Sequence, residues 1–146
     1  MTDQFYMEKA LEQAFSAYEA EEVPVGAVLV CGDRILGRGY NQTEHLNDVT
    51  SHAEMIALSA ATEYLGSKYL PDCTLYVTVE PCVMCAGALK WAQIGRLVYG
   101  AADDKYGFMK FGRDILHPKT KVEYGLLEEP CSQLMKLFFK KKRDQV

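Results

Sequence analysis

The chain has 146 residues, 49% of them hydrophobic and 25% charged, a balance that belongs to folded globular proteins and excludes a disordered or low-complexity chain. The 16 basic residues against 20 acidic ones leave a formal charge of -4, so there is no chain-wide attraction for nucleic acid and any such contact must come from a local patch. At this length one domain over residues 1–146 is expected, able to bury roughly two-thirds of its unfolded surface.

From Phe5 to Tyr18, apolar residues at Met7, Leu11, Ala14, Phe15 and Tyr18 recur at helical spacing and predict an amphipathic first helix. Residues 25–31, VGAVLVC, form a continuous β-prone run. Residues 35–40, ILGRGY, follow a turn at Gly32 and Asp33, so the two runs read as an antiparallel hairpin. Residues 41–49 are polar and loop-like. Residues 55–61, MIALSAA, are apolar on nearly every side, which predicts a buried helix. A strand over 74–79, a helix over 82–92, strands over 96–100 and 122–127, and an amphipathic helix over 128–143 complete the chain. Strands alternating with helices predict an α/β domain that begins with an antiparallel hairpin and continues through crossover helices.

The amino terminus has neither the basic start nor the apolar run of a signal peptide, and no apolar stretch is long enough to span a bilayer, so the cytoplasm is the expected compartment. In that compartment the five cysteines, at 31, 73, 82, 85 and 131, point to metal ligands sooner than to disulfides.

The segment PCVMC (81–85) places Cys82 and Cys85 three apart at a helix start, on one face, where the helix dipole favours the metal-binding thiolates. Pro81 suits the helix entry, because its missing N–H would have no partner there. The segment SHAEMIAL (51–58) contributes His52 and Glu54. Two thiolates and one imidazole make three ligands and leave the fourth tetrahedral position for water, the pattern of catalytic zinc. Cys31, Cys73 and Cys131 lack partner spacing and read as buried apolar thiols. His45 and His117 read as non-ligands. Ser51 and Glu54 also have the spacing of a capping box. We expect Ser51 to cap the helix alone and Glu54 to point into the pocket. The two-residue offset of His52 and Glu54 allows a shared site only at the first turn of a helix.

His-x-Glu followed by Pro-Cys-x-x-Cys is the signature of zinc-dependent nucleobase deaminases. The chain resembles the cytidine-deaminase superfamily, and within it looks most like bacterial tRNA adenosine deaminases that act at the wobble position. The resemblance runs from the first helix to the last, through EVPVGAVLV (22–30), SHAEMIAL (51–58), LYVTVEPCVMCAGAL (75–89), IGRLVYG (94–100) and FFKKKR (138–143). It implies a three-layer α/β/α fold with a mixed five-stranded sheet. It implies one Zn2+ per subunit on His52, Cys82 and Cys85, with Glu54 as the catalytic proton shuttle. It further implies substrate contacts from Asn41, Val25, the backbone of Ala53 and Asp103. The partners it implies are a tRNA anticodon stem-loop and a second copy of the chain in a homodimer, and the activity is hydrolytic deamination of adenosine to inosine. Two thiolates nearly cancel the ion's charge, so a carboxylate that takes the water's proton is useful, and Glu54 is placed to do so.

The loop DDKYGFMKFGRD (103–114) departs from the small residues common there. It interleaves Tyr106, Phe108 and Phe111 with Lys105, Lys110 and Arg113. These residues read either as a stacking and phosphate-contact surface for single-stranded RNA, or as core or dimer-interface aromatics with solvated charges between them. In the last helix Lys136, Lys140, Lys141, Lys142 and Arg143 form either an RNA-facing cluster or a solvated face. Leu134, Leu137, Phe138 and Phe139 read as core. An alternative function is deamination of a free base or nucleoside, guanine or cytosine, on the same fold. The pI near 5.4 leans toward that alternative, and the match around PCVMC and the basic last helix lean away. A non-catalytic zinc-stabilised RNA-binding module would ordinarily recruit a fourth protein ligand.

Overall fold

In the computed structural model, which describes residues 1–145, Thr2 caps the first helix, α1 (Asp3–Glu19), by accepting the Phe5 N–H at 3.1 Å. Strands β1 (Gly26–Cys31) and β2 (Arg34–Tyr40) follow as a hairpin, with Gly32 in the left-handed region at the turn. Helix α2 (Ala53–Leu65) ends on Gly66, also left-handed. Then come β3 (Cys73–Val79), α3 (Val83–Trp91), β4 (Arg96–Ala101), two single 3-10 turns (Phe108–Lys110 and Arg113–Ile115), β5 (Lys121–Tyr124) and α4 (Glu128–Asp144). The 3-10 turns carry no apolar period that the sequence could reveal. Strand β5 is shorter than the 122–127 expected, because Gly125 turns the chain with a φ of 93°.

The five strands form one mixed sheet in the order β2-β1-β3-β4-β5. Strand β1 is antiparallel to both β2 and β3, whereas β3, β4 and β5 run parallel. Alternation along the strands makes two cores. Ala27, Leu29, Leu75, Val77, Leu97 and Tyr99 pack with Ala53, Ala57 and Ala61 of α2 and with Ala86 and Leu89 of α3. Val28, Val30, Tyr76 and Val98 face the other way, onto Tyr6, Met7 and Ala10 of α1. Helix α4 lies beside α1, with the Tyr18 and Phe138 rings edge-on at 6.3 Å. The result is the three-layer α/β/α arrangement.

One feature of this packing reaches the site. Gly39 of β2 lies so close to α2 that a Cβ there would stand 2.4 Å from the Ala53 carbonyl oxygen, so the strand and the first turn of the helix touch through their backbones. Cys31 and Cys73 are not the separate buried thiols expected. They oppose each other in the β1–β3 ladder with Cα atoms 4.4 Å apart and are joined as a disulfide. The register that brings them together exists only after the strands have paired, and 42 residues separate them in sequence. Cys131 is a buried free thiol, as expected.

Candidate active site

Parallel strands β3 and β4 end side by side at Val79 and Ala101, and helices α2 and α3 begin at the same edge of the sheet. A cavity of about 920 Å³ opens there, at the carboxyl ends of the strands, where ligands of α/β sheets generally sit. Val23, Val25 and Asn41 form one side of it, and His52, Glu54 and Cys82 line its interior. Residues 101–106 and one face of α4 close the remainder.

His52 is the N-cap of α2, in extended conformation with φ -79° and ψ 153°, and Glu54 is the second residue of the helix. Because His52 stands outside the helical turn, the rule that residues two apart diverge does not apply, and both side chains reach the cavity. Glu54 is buried. Ser51 does not cap the helix, contrary to expectation. Its hydroxyl donates to Asp48 Oδ2 at 3.0 Å, and its backbone N–H goes to the Asp48 carbonyl. With the N-cap one residue later than a capping box requires, the acceptor at the helix start is Asn41 Oδ1, which takes the Ala53 N–H at 2.8 Å.

Cys82 is likewise an extended N-cap, of α3, with φ -74° and ψ 173°, so Pro81 lies just outside the helix instead of in its first turn. Cys85 sits in that first turn, buried. His52 Nδ1 is 3.6 Å from Cys82 Sγ and 3.5 Å from Cys85 Sγ. Zinc bonds of about 2.3 Å to sulfur and about 2.05 Å to nitrogen, at a tetrahedral angle, would set those atoms about 3.6 Å apart. The residues therefore fit a zinc ion in both donor type and spacing. Among the described residues these three alone group as candidate ligands here, so a tetrahedral ion held by them would keep one position for a small molecule.

The electrostatics are those of a metal-ready pair. A hydrogen bond with Cys85, helped by the His52 imidazole, holds the Cys82 thiol down at about 4 against the opposing effect of burial. The same bond to Cys82, with burial, pushes Cys85 up. The Cys82 partner raises His52. Burial pushes Glu54 up to about 7.

Val25, Asn41 and Asp103 all line the cavity. Ala53 is fully buried, and its N–H is taken by Asn41, so two expected substrate contacts touch each other. Asp103 Oδ1 accepts the N–H groups of Lys105 and Tyr106 at 3.1 and 3.0 Å and shapes its own loop. The aromatic residues of loop 103–114 divide between core and surface. Phe108 is wholly buried, its ring edge-on to Tyr99 at 6.2 Å. Tyr106 and Phe111 are 63% and 62% exposed, each with a neighbouring lysine ammonium over its ring, from Lys105 and Lys110. Leu134 and Phe138 are core, but Leu137 and Phe139 are exposed. His45 and His117 stand outside the cluster.

Sequence reasoning missed the cavity roles of Glu80, Ser132, Met135 and Phe139. For α4 a signal existed. Cys131, Leu134 and Phe138 trace the core face, and Ser132, Met135, Lys136 and Phe139 trace a second face at the same helical spacing. For Glu80 the strand pattern carried no signal.

A family profile described as MafB19-like deaminase matches residues 1–145. Among relatives, a tRNA-specific adenosine deaminase of Agrobacterium fabrum is 46% identical over 143 residues, covering 94% of each chain. A tRNA-specific adenosine deaminase of Aquifex aeolicus is 40% identical, over 100% of this chain and 99% of its own. Among solved structures, one from work on A-to-I editing by tRNA:A34 deaminases at the wobble position superposes with a TM-score of 0.83 at 44% identity, covering 89% of this chain and 98% of that one. A guanine deaminase from Nitrosomonas europaea superposes with a TM-score of 0.80 at 26% identity, covering 94% and 84%.

Proposed function

The chain belongs to the MafB19-like deaminase family, and on that footing we propose that it hydrolyses the exocyclic amine of adenosine at the wobble position of tRNA, leaving inosine. The observation that carries this reading is the convergence of His52, Cys82, Cys85 and Glu54 on one cavity, in a chain that aligns end to end with tRNA-specific adenosine deaminases. Residues 1–146 then constitute one deaminase domain, acting in the cytoplasm where tRNA is processed. Among the described residues no helix is long and apolar enough to cross a membrane.

His52, Cys82 and Cys85 would hold the zinc ion, one per chain, and the ion when bound supplies the Lewis acidity that makes water nucleophilic at neutral pH. The remaining work falls to the chain. Water adds to the ring carbon that bears the amine. Glu54 accepts the water's proton and passes it to the adjacent ring nitrogen. Glu54 then takes the remaining proton from the added hydroxyl and delivers it to the amine, the carbon–nitrogen bond breaks, and ammonia departs as the carbonyl of inosine forms. A carboxyl with a pKa near neutrality can both take and give that proton. Val25, Asn41 and Asp103, on the cavity wall, would orient the nucleotide, whereas the Ala53 N–H is already taken by Asn41.

We further propose a homodimer. Val83, Gly87 and Trp91 form one stripe along the outer side of α3, four residues apart; Trp91 is 79% exposed and nothing packs over Gly87. An apolar stripe beside the site fits a second copy of the chain.

The test is a mass-spectrometric assay of purified protein with an anticodon stem-loop carrying adenosine at the wobble position, run beside free adenosine, guanine and cytosine. Inosine in the stem-loop supports the reading. Turnover of guanine or another free base, with the stem-loop untouched, overturns it.

A further inference from the structure

Three carboxylates are buried among the described residues: Glu22, Glu54 and Glu80. Glu54 serves the chemistry, and Glu22 accepts the N–H groups of Glu44 and His45 in the loop after β2. Glu80, between β3 and α3, has no part in proton transfer, yet both of its oxygens are committed. Oε1 accepts the Asp103 N–H at 3.1 Å and Oε2 accepts the Met109 N–H at 3.0 Å. Those amides bracket the loop whose residues Asp103, Asp104, Lys105 and Tyr106 wall the cavity.

We propose that Glu80 is a positioning residue for substrate binding, a buried carboxylate staple that fixes the outer wall of the cavity against the start of α3. Three further contacts close the same seam. The Phe108 N–H donates to the Pro81 carbonyl at 3.0 Å, the Glu80 N–H donates to the Ala101 carbonyl at 2.8 Å, and Cys82 bridges Gly107. Gly107 has a φ of -66°, which any residue adopts, so glycine is required there for room and not for conformation. A Cβ at that position would stand 2.1 Å from Glu80 Oε2. The staple thus ties the residue before the Pro-Cys-x-x-Cys segment to the loop that presents Lys105 and Tyr106 at the cavity mouth. A carboxylate can serve two donors with its two oxygens, whereas an amide offers one acceptor and turns an N–H toward the other donor.

The functional part of this proposal rests on the deaminase reading; the structural part does not. The experiment uses zinc-loaded full-length protein as wild type, Glu80→Gln and Gly107→Ala, and has two readouts. The first is hydrogen exchange at the Asp103 and Met109 amides. Both should be protected in the wild type; one of them in Glu80→Gln, which keeps a single acceptor, and both in Gly107→Ala should exchange about tenfold faster or more, the factor associated with losing a buried charge-assisted hydrogen bond. The second is steady-state kinetics on the anticodon stem-loop. KM should rise by about tenfold while kcat stays within roughly threefold, as when an interaction common to ground and transition states is removed. Zinc content should remain at one per chain. Unchanged exchange, a fall in kcat at constant KM, or loss of zinc would each overturn the staple. If the wild type leaves the stem-loop untouched, the deaminase reading fails, and the exchange data still decide whether Glu80 holds the loop.

Discussion

Asn41 Oδ1 accepts the backbone N–H of Ala53 at 2.8 Å, so a residue just beyond β2 ties off the first turn of α2. Both residues are buried, and His52 provides no side-chain cap of its own. The helix start that carries His52 and Glu54 is therefore held by a strand end, which couples the position of the site to the sheet. Asn41→Ala leaves that N–H without a partner in a buried setting. We expect a loss of about 1–3 kcal/mol in urea denaturation together with reduced turnover.

Glu54→Gln keeps the shape of the side chain and removes its capacity to accept a proton. The expected result is a fall in kcat of about 10²–10⁴ with zinc still at one per chain, read by deamination rate and metal analysis of the same sample. Loss of the metal in this variant would instead make Glu54 a ligand.

His52→Ala and Cys82→Ala each remove one of the three proposed ligand atoms. Both variants should purify with little zinc, and the wild type should lose activity to a chelator and recover it on addition of Zn2+. Retention of stoichiometric zinc by either variant would rule that residue out of the ligand set.

At Gly39 the constraint is space. An added methyl would meet the Ala53 carbonyl oxygen at 2.4 Å and Ile56 Cβ at 3.0 Å, which pushes the start of α2 away from β2. Gly39→Ala should cost about 1–3 kcal/mol and also weaken zinc retention, because His52 moves with the helix end. Wild-type stability and zinc content in this variant would show that the contact relaxes at no cost.

Arg96 on β4 bonds Asp3 at 2.6 Å and Glu123 at 2.7 Å, and Tyr76 donates to Asp3 as well. The Arg96 guanidinium, then Tyr76, hold the Asp3 carboxyl at about 2, below its ordinary 3.8. With the folded value lowered, Asp3 contributes stability above about pH 4, and that contribution disappears as the pH falls toward 2. Asp3 is 40% exposed, so solvent screening trims the effect. Urea midpoints at pH 5 and pH 3 should differ less in Asp3→Asn than in the wild type.

Periodicity located most of the elements, because a strand buried on both faces such as β1 and the apolar 55–61 run must show it in composition, although α2 buries only the face of Ala53, Glu54, Ala57 and Ala61 and not every side as expected. The short 3-10 turns after β4 and the early end of β5 have no such period. Likewise, His52, Glu54, Cys82 and Cys85 are legible as candidate ligands and a candidate acid, since each side chain type suits only a narrow chemistry and the short spacings keep each pair together.

What the chain order could not express was which distant atoms meet. Ser51 had the spacing of a cap, but Asn41 arrives from β2 and takes that role, leaving Ser51 to Asp48. Cys31 and Cys73 looked unrelated until the β1–β3 register set them opposite each other. Glu80, just beyond the 74–79 strand, carried no signal until folding brought the Asp103 and Met109 amides to its two oxygens. Short-range spacing and residue chemistry determined most of the elements and the candidate ligand and acid positions. Long-range strand register and close helix–strand approach, which depend on the whole core having packed, decided the capping, the cysteine pairing and the walls of the cavity.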